Sequence, residues 1–373
     1  MKQVVISGTG LYTPPFSISN EELVSCFNAY AAQFNAEHAG AIEAGGVTAI
    51  EPSSVAFIEK ASGIKARFVM EKDGILDPAR MVSRIPERGD EELSLQAEMA
   101  VKAAYLALER AGRGAADIDM VLVACSNMQR AYPAVAVEVQ QALGIDGYGF
   151  DMNVACSSAT FGIQTAVAAI QSGQARAVLV LNPEITSAHL NWRDRDSHFI
   201  FGDACTAIVL EAREAASSRH QFEILETKLK TSFSNNIRNN FGFLNRFDEN
   251  GVGQPDKLFR QQGRKVFKDV CPMAADMIKA TVTGAGLQVN EVSRYWLHQA
   301  NLNMNLLITR MVLGRDAEPH EAPVILDSYA NTSSAGSIIA FHQYQDDLVP
   351  GSLGVICSFG AGYSIGCVVV RRI

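Results

Sequence analysis

The chain has 373 residues, of which 48% are hydrophobic and 19% charged, so it carries enough apolar material for a large folded core. Its formal net charge is −8 and its Lys and Arg residues form no long run, which makes nucleic acid a poor candidate partner. No stretch reaches the roughly 18 apolar residues of a membrane span and no secretory signal opens the chain, so we expect a cytoplasmic protein without membrane contact. The seven cysteines include no CxxC pair, which argues against a disulfide framework or a metal site.

Helical and strand-like segments alternate along most of the chain. The segments 94–112 and 134–144 have helical spacing of apolar residues and end on glycine. Short runs of Val, Ile and Leu predict buried strands at 120–125, 177–182, 206–212, 355–359 and 366–372. Such runs between helices are typical of a sheet covered on both faces. Residues 28–55 and 71–92 do not fit this alternation, and we expect them to be insertions that shape access to a site.

The two halves of the sequence resemble each other. The segment AGRGAADIDMVLVACSN, from residue 111, aligns without gaps with AGLQVNEVSRYWLHQAN, from residue 285. With an offset one residue larger, ACSSATFG aligns with ANTSSAGS, and each half then has a Phe-Gly turn before a strand. Matches in the same order predict an internal duplication. We expect an N-terminal half over residues 1–212 and a C-terminal half over residues 213–373.

Cys156 lies in the stretch NVACSSATFG, between a strand-like run and a segment without charge. No charged residue occurs from Met152 to Ala175, so a helix over about 157–172 would be buried nearly all round. At the start of such a helix, unpaired N–H groups and the helix dipole favour the thiolate over the thiol. A buried cysteine is often inert. This stretch alone therefore leaves a packing residue and a nucleophile as alternatives.

The duplication gives His298 and Asn331 a place beside Cys156. It puts His298 opposite Ala124, at the end of a strand, and Asn331 opposite Cys156. Strand ends of two halves that are related by a pseudo-twofold axis meet in one crevice, which would bring the three side chains together. The glycine-rich segment SFGAGYSIG (358–366) can present a backbone N–H group there. Together with the N–H of Cys156, it would form an oxyanion hole.

The motifs NVACSSATFG, HQAN, NTSSAGSI and FGAGYSIG resemble those of the β-ketoacyl-acyl-carrier-protein synthase III family of condensing enzymes. The resemblance extends over nearly the whole chain. It implies an α/β protein with a thiolase-like five-layer αβαβα fold, a homodimer, and no metal or organic cofactor. It also implies that Cys156 takes an acyl group from acyl-CoA while the N–H groups of Cys156 and Ala361 hold the oxyanion. His298 and Asn331 would stabilise the enolate that forms from malonyl-acyl-carrier-protein.

The resemblance also implies a set of substrate contacts, although two of the family's motifs are altered. The segment FIEKASGI replaces the family's WI-x-x-RTGI, so Phe57 stands where a tryptophan is usual, and Ala361 replaces the middle glycine of a Gly-Gly-Gly turn. The implied substrate-binding residues are Arg195, Phe57, Phe267, Asn301 and Tyr132, the last reaching across the dimer to the acyl pocket. The implied basic patch for the carrier protein consists of Lys268, Arg264 and Arg310.

Other interpretations differ in what the site does. A papain-like protease has the same chain order of Cys, His and Asn, but the duplication and the lack of a CGxCW-type signature oppose it. A non-catalytic partner subunit of a condensing complex should have lost its cysteine, and Cys156 is present. A related condensing enzyme of secondary metabolism would use malonyl-CoA. The two insertions and the altered FIEKASGI segment favour a donor longer than acetyl-CoA, and our hypothesis is a medium-chain acyl-CoA used in fatty-acid biosynthesis.

Overall fold

The computed structural model describes residues 2–241, 251, 254 and 257–373. Strands and helices alternate along most of these residues, and all seven of the segments named above take the predicted type of structure. The strands are β1 Val4–Tyr12, β2 Phe16–Ser19, β3 Ala66–Val69, β4 Met120–Ala124, β5 Tyr148–Met152, β6 Ala177–Glu184, β7 Ala204–Ala212, β8 Phe222–Ser234, β9 Ile237–Asn239, β10 Phe259–Gln261, β11 Val292–Leu297, β12 Leu353–Gly360 and β13 Gly362–Arg372. The helices are α1 Asn20–Glu37, α2 Ala39–Glu43, α3 Val55–Ser62, α4 Leu95–Ala111, α5 Val135–Leu143, α6 Ser158–Ser172, α7 Gly263–Gly284, α8 Leu302–Leu313, α9 Leu326–Tyr329 and α10 Ala335–Gln343.

The internal duplication is visible in the main sheet. Its nine strands have the order β11-β12-β13-β8-β1-β7-β6-β4-β5. From the centre of the sheet outward, the strands of the first half follow in the order β1-β7-β6-β4. Those of the second half follow in the equivalent order β8-β13-β12-β11 in the opposite direction. In each half the last two of these strands are parallel and the others antiparallel. The halves meet where β1 and β8 pair antiparallel, with Val5 opposite Glu223 and Ile6 opposite Phe222.

Helices cover the sheet of each half on both faces, which gives the five layers that the family resemblance implies. The helices α6 and α10 form the central layer, and they share one buried core with strands of both halves. A second core lies between α4 and α5 and the strands of the first half. A third lies between α7 and α8 and the strands of the second half. Nine of the 15 residues of α6 are buried, which is why this helix has no charged side chain.

The two segments that interrupt the alternation pack against residues 190–201. This contact forms a fourth core, which contains α1, α3, β2 and β3. The ring of Phe27 stacks on His198 with 4.5 Å between centroids. Arg195 Nε donates to the carbonyl of Pro52 at 2.8 Å, and Arg193 Nη2 donates to the carbonyl of Ala79 at 2.8 Å. Both insertions therefore support a single segment, which also lines the main cavity through Phe199, Ile200 and Phe201.

The ends of the outer helices follow local sequence signals. The hydroxyl of Ser94 accepts from the N–H of Ala97 at the start of α4, as expected for an N-cap serine. The helices α4 and α5 end at Gly112 and Gly144, which have φ angles of 65° and 69°. Glycine adopts this left-handed conformation without the steric cost that a Cβ brings. Among the described residues, no helix has both the length and the apolar character that a membrane crossing requires.

Candidate active site

The two central helices begin next to corresponding turns, each with a backbone conformation that is rare for a residue with a side chain. Ala155 has φ 48° and Ala330 has φ 54°, and these two residues occupy the same position in the two halves. The left-handed conformation costs an alanine about 1 kcal/mol or more, so it persists only where the surrounding structure enforces it. The residues that follow are Cys156 and Asn331. The duplicated turns thus direct a cysteine and an asparagine toward the same space.

That space is a cavity of about 450 Å³. Cys156, His298 and Asn331 all line it, as the duplication predicts. Most of the remaining wall is apolar, and it comes from the 196–201 segment, β9, β10, α7, α8 and β12. These wall residues include Phe199, Ile200, Phe201, Ile237, Phe259, Val266, Phe267, Val270, Met304 and Phe359. The three polar groups therefore lie in a cavity with a mostly apolar wall.

The environment of Cys156 differs from the sequence prediction in one respect. Burial raises the pKa of its thiol to about 11. The hydroxyl of Ser333, which donates to the sulfur at 3.4 Å, and the backbone N–H groups of Cys156 and Ala361 lower this pKa, whereas the carboxylate of Glu184 raises it. The expectation that the helix start favours the thiolate is therefore wrong in its net effect. The loss of solvent around the sulfur outweighs the donors that face it.

Two backbone segments lie close to the Cys156 sulfur and its turn. Gly360 ends β12 beside Cys156, and a Cβ built on it would lie 3.1 Å from the sulfur. The next residue, Ala361, directs its N–H group at the same sulfur. On the other side, Ser157 Oγ donates to the carbonyl of Ser364 at 3.0 Å, which ties the cysteine turn to β13. Two backbone N–H groups, those of Cys156 and Ala361, therefore face the sulfur.

His298 follows the last residue of β11 and is 2% exposed. Its ring meets the ring of Phe359 edge-on, with 5.2 Å between centroids. Burial lowers the pKa of His298 to about 3, although the Ser333 backbone raises it, so the imidazole is neutral at physiological pH. Its Nδ1 has no hydrogen-bond partner among the described residues. A neutral imidazole carries no charge and can donate one hydrogen bond and accept another.

Asn331 is held by residues of the first half. Its backbone N–H donates to the carbonyl of Ile200 at 2.9 Å, and its carbonyl accepts from the N–H of Gly202 at 3.2 Å. Its side-chain Oδ1 accepts from the N–H of Ser333 at 2.8 Å. This bond fixes the orientation of the amide, and its Nδ2 group is the end that can donate to a ligand.

The predicted substrate-binding residues fall into two groups. Phe267 and Asn301 line the cavity, and so does Arg264 of the predicted carrier-protein patch. Arg195 and Phe57 do not line it; they stack on each other, with 4.3 Å from the guanidinium carbon to the ring centroid. This pair joins the cavity through Phe57, whose ring packs edge-on against Phe199.

The remaining predicted contacts lie outside the cavity. Lys268 is exposed on α7, near the exposed Arg264. Arg310 is exposed on α8, and its Nε lies 2.6 Å from Oδ1 of Asp316, so its charge is partly neutralised. Tyr132 is 85% exposed and contributes nothing to the cavity wall within this chain. The structure therefore brings together the three polar groups, Phe267, Asn301 and Arg264, and separates the others from them.

Sequence reasoning missed two groups next to Cys156. Ser333 supplies the hydroxyl that reaches the sulfur, and Glu184 is a fully buried carboxylate at the end of β6. The only sequence signal for Glu184 is a lone charge after the apolar run AVLVLNP. The signal for Ser333 is its position, which the duplication aligns with Ser158.

The layered fold and the Cys–His–Asn cavity define the class of thiolase-fold condensing enzymes. Models of 3-oxoacyl-[acyl-carrier-protein] synthase III match residues 150–232, and models of its C-terminal domain match residues 282–372. The chain is 69% identical to the β-ketodecanoyl-[acyl-carrier-protein] synthase of Pseudomonas aeruginosa, over 93% of this chain and 99% of the relative. It is 30% identical to the β-ketoacyl-[acyl-carrier-protein] synthase III of Granulibacter bethesdensis, over the full length of both. The chain belongs to the β-ketoacyl-[acyl-carrier-protein] synthase III family and is an acyl-transferring condensing enzyme of fatty-acid biosynthesis.

Solved structures agree with the fold. The 3-oxoacyl-[acyl-carrier-protein] synthase III of Aquifex aeolicus superposes with a TM-score of 0.76 at 24% identity, covering 99% of both chains. The 3-oxoacyl-(acyl-carrier protein) synthase of Burkholderia xenovorans superposes with a TM-score of 0.75 at 19% identity, covering 99% of this chain and 94% of the other.

Proposed function

We propose that this enzyme condenses a medium-chain acyl group, carried on Cys156, with malonyl-acyl-carrier-protein to give a β-ketoacyl-carrier-protein. The observation that carries the proposal is that Cys156, His298 and Asn331 line one apolar cavity. In this proposal the chain has two domains. Residues 1–212 supply the nucleophile, and residues 213–373 supply the His and the Asn. The donor is octanoyl-CoA, because a β-ketodecanoyl product, as in the name of the 69% identical relative, is an eight-carbon acyl group plus two carbons from malonate.

The first step is acyl transfer. The sulfur of Cys156 attacks the thioester carbonyl of acyl-CoA, and the carbonyl oxygen becomes an oxyanion. The N–H groups of Cys156 and Ala361 donate to that oxyanion. When the tetrahedral intermediate collapses, the bond to the CoA sulfur breaks, and the proton lost by Cys156 ends on the released CoA. A covalent acyl-enzyme divides a difficult reaction into two easier ones.

The second step is decarboxylative condensation. The thioester oxygen of malonyl-acyl-carrier-protein accepts hydrogen bonds from His298 and from Nδ2 of Asn331. Loss of CO2 leaves an enolate on this oxygen, and two neutral donors in an apolar site stabilise the charge. The enolate carbon attacks the acyl carbonyl on Cys156. The carbon–sulfur bond then breaks, and the thiol is restored by uptake of a proton. These steps use only side chains, backbone N–H groups and the two substrates, so the proposal needs no cofactor.

The proposed partners are a second copy of this chain and the acyl carrier protein, in the cytoplasm. The edge strand β5 supports the dimer, since it carries Tyr148 and Phe150, which are 41% and 40% exposed, and it pairs on one side only within the described residues. Antiparallel pairing of two β5 strands would continue the sheet and cover these rings. The exposed Lys268 and Arg264 support docking of an acidic carrier protein beside the cavity.

Two variants and one substrate panel test the proposal. Cys156→Ser should abolish the acyl-enzyme adduct in intact-mass measurements, because the hydroxyl is a much weaker nucleophile. His298→Ala should leave acylation largely intact and stop condensation; loss of acylation alone would show that the roles are wrongly assigned. A series of acyl-CoA donors from two to twelve carbons should label Cys156 best near eight carbons. Strong labelling by acetyl-CoA alone would overturn the medium-chain donor.

The same enzyme and donors test two alternatives: that malonyl-CoA is the acceptor, and that the chain is a non-catalytic partner subunit. Malonyl-CoA in place of malonyl-acyl-carrier-protein should give little product, and equal rates with both would favour the secondary-metabolism alternative. A non-catalytic subunit would form no acyl-enzyme with any donor.

A further inference from the structure

Glu184 is a fully buried carboxylate that the condensation steps above do not use. It ends β6 and is 0% exposed. Its carboxylate accepts the N–H and the hydroxyl of Ser126, at 2.9 and 2.5 Å, and also the N–H and the hydroxyl of Ser334, the N–H at 3.1 Å. These four donors, none of them basic, come from the two different halves of the chain. Burying a carboxylate without a basic partner costs stability, even when neutral donors satisfy its oxygens.

The Ser126 contacts lead to the turn that carries Cys156. The carbonyl of Ser126 accepts from Nδ2 of Asn153 at 2.7 Å. The side-chain oxygen of Asn153 in turn accepts from the N–H of Ala155 at 2.9 Å. Ala155 is the left-handed residue directly before Cys156. Hydrogen bonds through Ser126 and Asn153 therefore connect Glu184 to the strained backbone that orients the nucleophile.

The Ser334 contacts lead to the turn that carries Asn331. Ser334 directly follows Ser333, another residue with left-handed backbone, φ 50°. Ser333 donates its N–H to the side chain of Asn331 at 2.8 Å and its hydroxyl to the sulfur of Cys156 at 3.4 Å. Ser334 also donates its hydroxyl to the carbonyl of Ala124 in the first half at 3.3 Å. One carboxylate thus connects both turns of the site.

We propose that Glu184 is a positioning residue that holds the Cys156 turn and the Asn331 turn in register for condensation. This inference rests on the proposed function. Acylation needs only Cys156 and the N–H groups around it. Condensation also needs the enolate carbon, which forms at His298 and Asn331 in the second half, to reach the acyl carbon on Cys156 in the first half.

Loss of this register has a specific chemical consequence. After CO2 leaves malonyl-acyl-carrier-protein, the enolate carbon has two fates. It attacks the acyl carbon, the bond to the Cys156 sulfur breaks, and a β-ketoacyl product forms. Otherwise it takes a proton from water, and acetyl-acyl-carrier-protein forms while Cys156 keeps its acyl group. The ratio of acetyl to β-ketoacyl product therefore measures how well the two turns are aligned, and a general loss of folded enzyme leaves it unchanged.

The test measures this ratio by mass spectrometry on octanoylated enzyme given malonyl-acyl-carrier-protein. Glu184→Ala should raise the ratio about tenfold, the size expected when buried donors lose their hydrogen-bond acceptor. Glu184→Gln should stay within about twofold of wild type, because its amide oxygen still accepts both N–H groups and its NH2 group donates to the Ser126 hydroxyl. Ser334→Ala removes a single donor and gives a second, milder variant that should also raise the ratio.

Asp203→Asn is the matched control. Asp203 is equally buried and accepts the same kinds of donor, from Ser187 and Met70, but it contacts neither turn through them. It should lower the melting temperature without changing the ratio. The proposal is wrong if the ratio stays at the wild-type value in both Glu184→Ala and Ser334→Ala, if Asp203→Asn raises it equally, or if Glu184→Gln raises it as much as the alanine. A wild type that is acylated but gives no β-ketoacyl product would instead refute the proposed function.

Discussion

The contact between Gly360 and Cys156 leads to a quantitative prediction about the nucleophile. A Cβ built on Gly360 would lie 2.7 Å from the Cβ of Cys156 and 3.2 Å from its backbone nitrogen. Non-bonded carbon atoms are at their optimum about 3.5–4.0 Å apart, so Gly360→Ala would displace the cysteine turn by about 1 Å. The displacement moves the sulfur relative to the N–H of Ala361, and it also moves the N–H of Cys156.

The expected effect on acylation is large. A misplacement of about 1 Å costs about a hundredfold in rate, which is about 2.7 kcal/mol of transition-state stabilisation. Overpacking of a buried site also lowers the free energy of unfolding by about 1–3 kcal/mol. We therefore expect Gly360→Ala to remain folded at 25 °C and to form the acyl-enzyme about a hundredfold more slowly than wild type.

Intact-mass measurement of acyl-enzyme against time, with octanoyl-CoA in excess, gives the rate constant per folded molecule. Gly354→Ala is the control on the same strand, β12: its Cβ would lie 2.2 Å from the ring of Trp296, away from the cavity, so it should lose stability but acylate normally. Acylation of Gly360→Ala at the wild-type rate would refute the reasoning, because it would show that the sulfur tolerates this displacement.

Four further predictions follow from the site and its surroundings. Since burial raises the pKa of Cys156 to about 11, iodoacetamide labelling of Cys156 should rise about tenfold per pH unit from pH 7 to 10, and a plateau below pH 8 would contradict this. His298 has a pKa of about 3, so condensation from preformed acyl-enzyme should not decline between pH 8 and pH 5. Burial raises the pKa of Glu184 from 4.5 to about 7, so the folded protein binds one proton more than the unfolded chain between these pH values. The free energy of unfolding of the wild type should therefore fall by about 3 kcal/mol between pH 4.5 and 8 because of this group. In Glu184→Gln, which cannot titrate, that part of the fall should be absent. Phe150→Glu on β5 should give a monomer in light scattering, and an unchanged dimer would place the interface elsewhere.

Much of this site could be predicted from the sequence because its signals are local or repeated. The charge-free stretch after Cys156 predicts a buried helix, and α6 is that helix. The alignment of the two halves predicts that His298 and Asn331 approach Cys156, since a duplication carries its geometry with it. Residues such as Phe267 and Asn301 followed from the family resemblance, and both line the cavity.

The protonation of Cys156 and the role of Glu184 depend on groups that are distant in the sequence. The hydroxyl that reaches the Cys156 sulfur belongs to Ser333, and the donors on Glu184 come from Ser126 and Ser334. No local pattern determines how much solvent such groups lose or which partners they gain, and these two quantities set a pKa. The sequence by itself therefore determined the elements, the duplication and which polar side chains meet in the cavity. The tertiary structure decided their protonation and alignment, because both arise only when the two halves pack together.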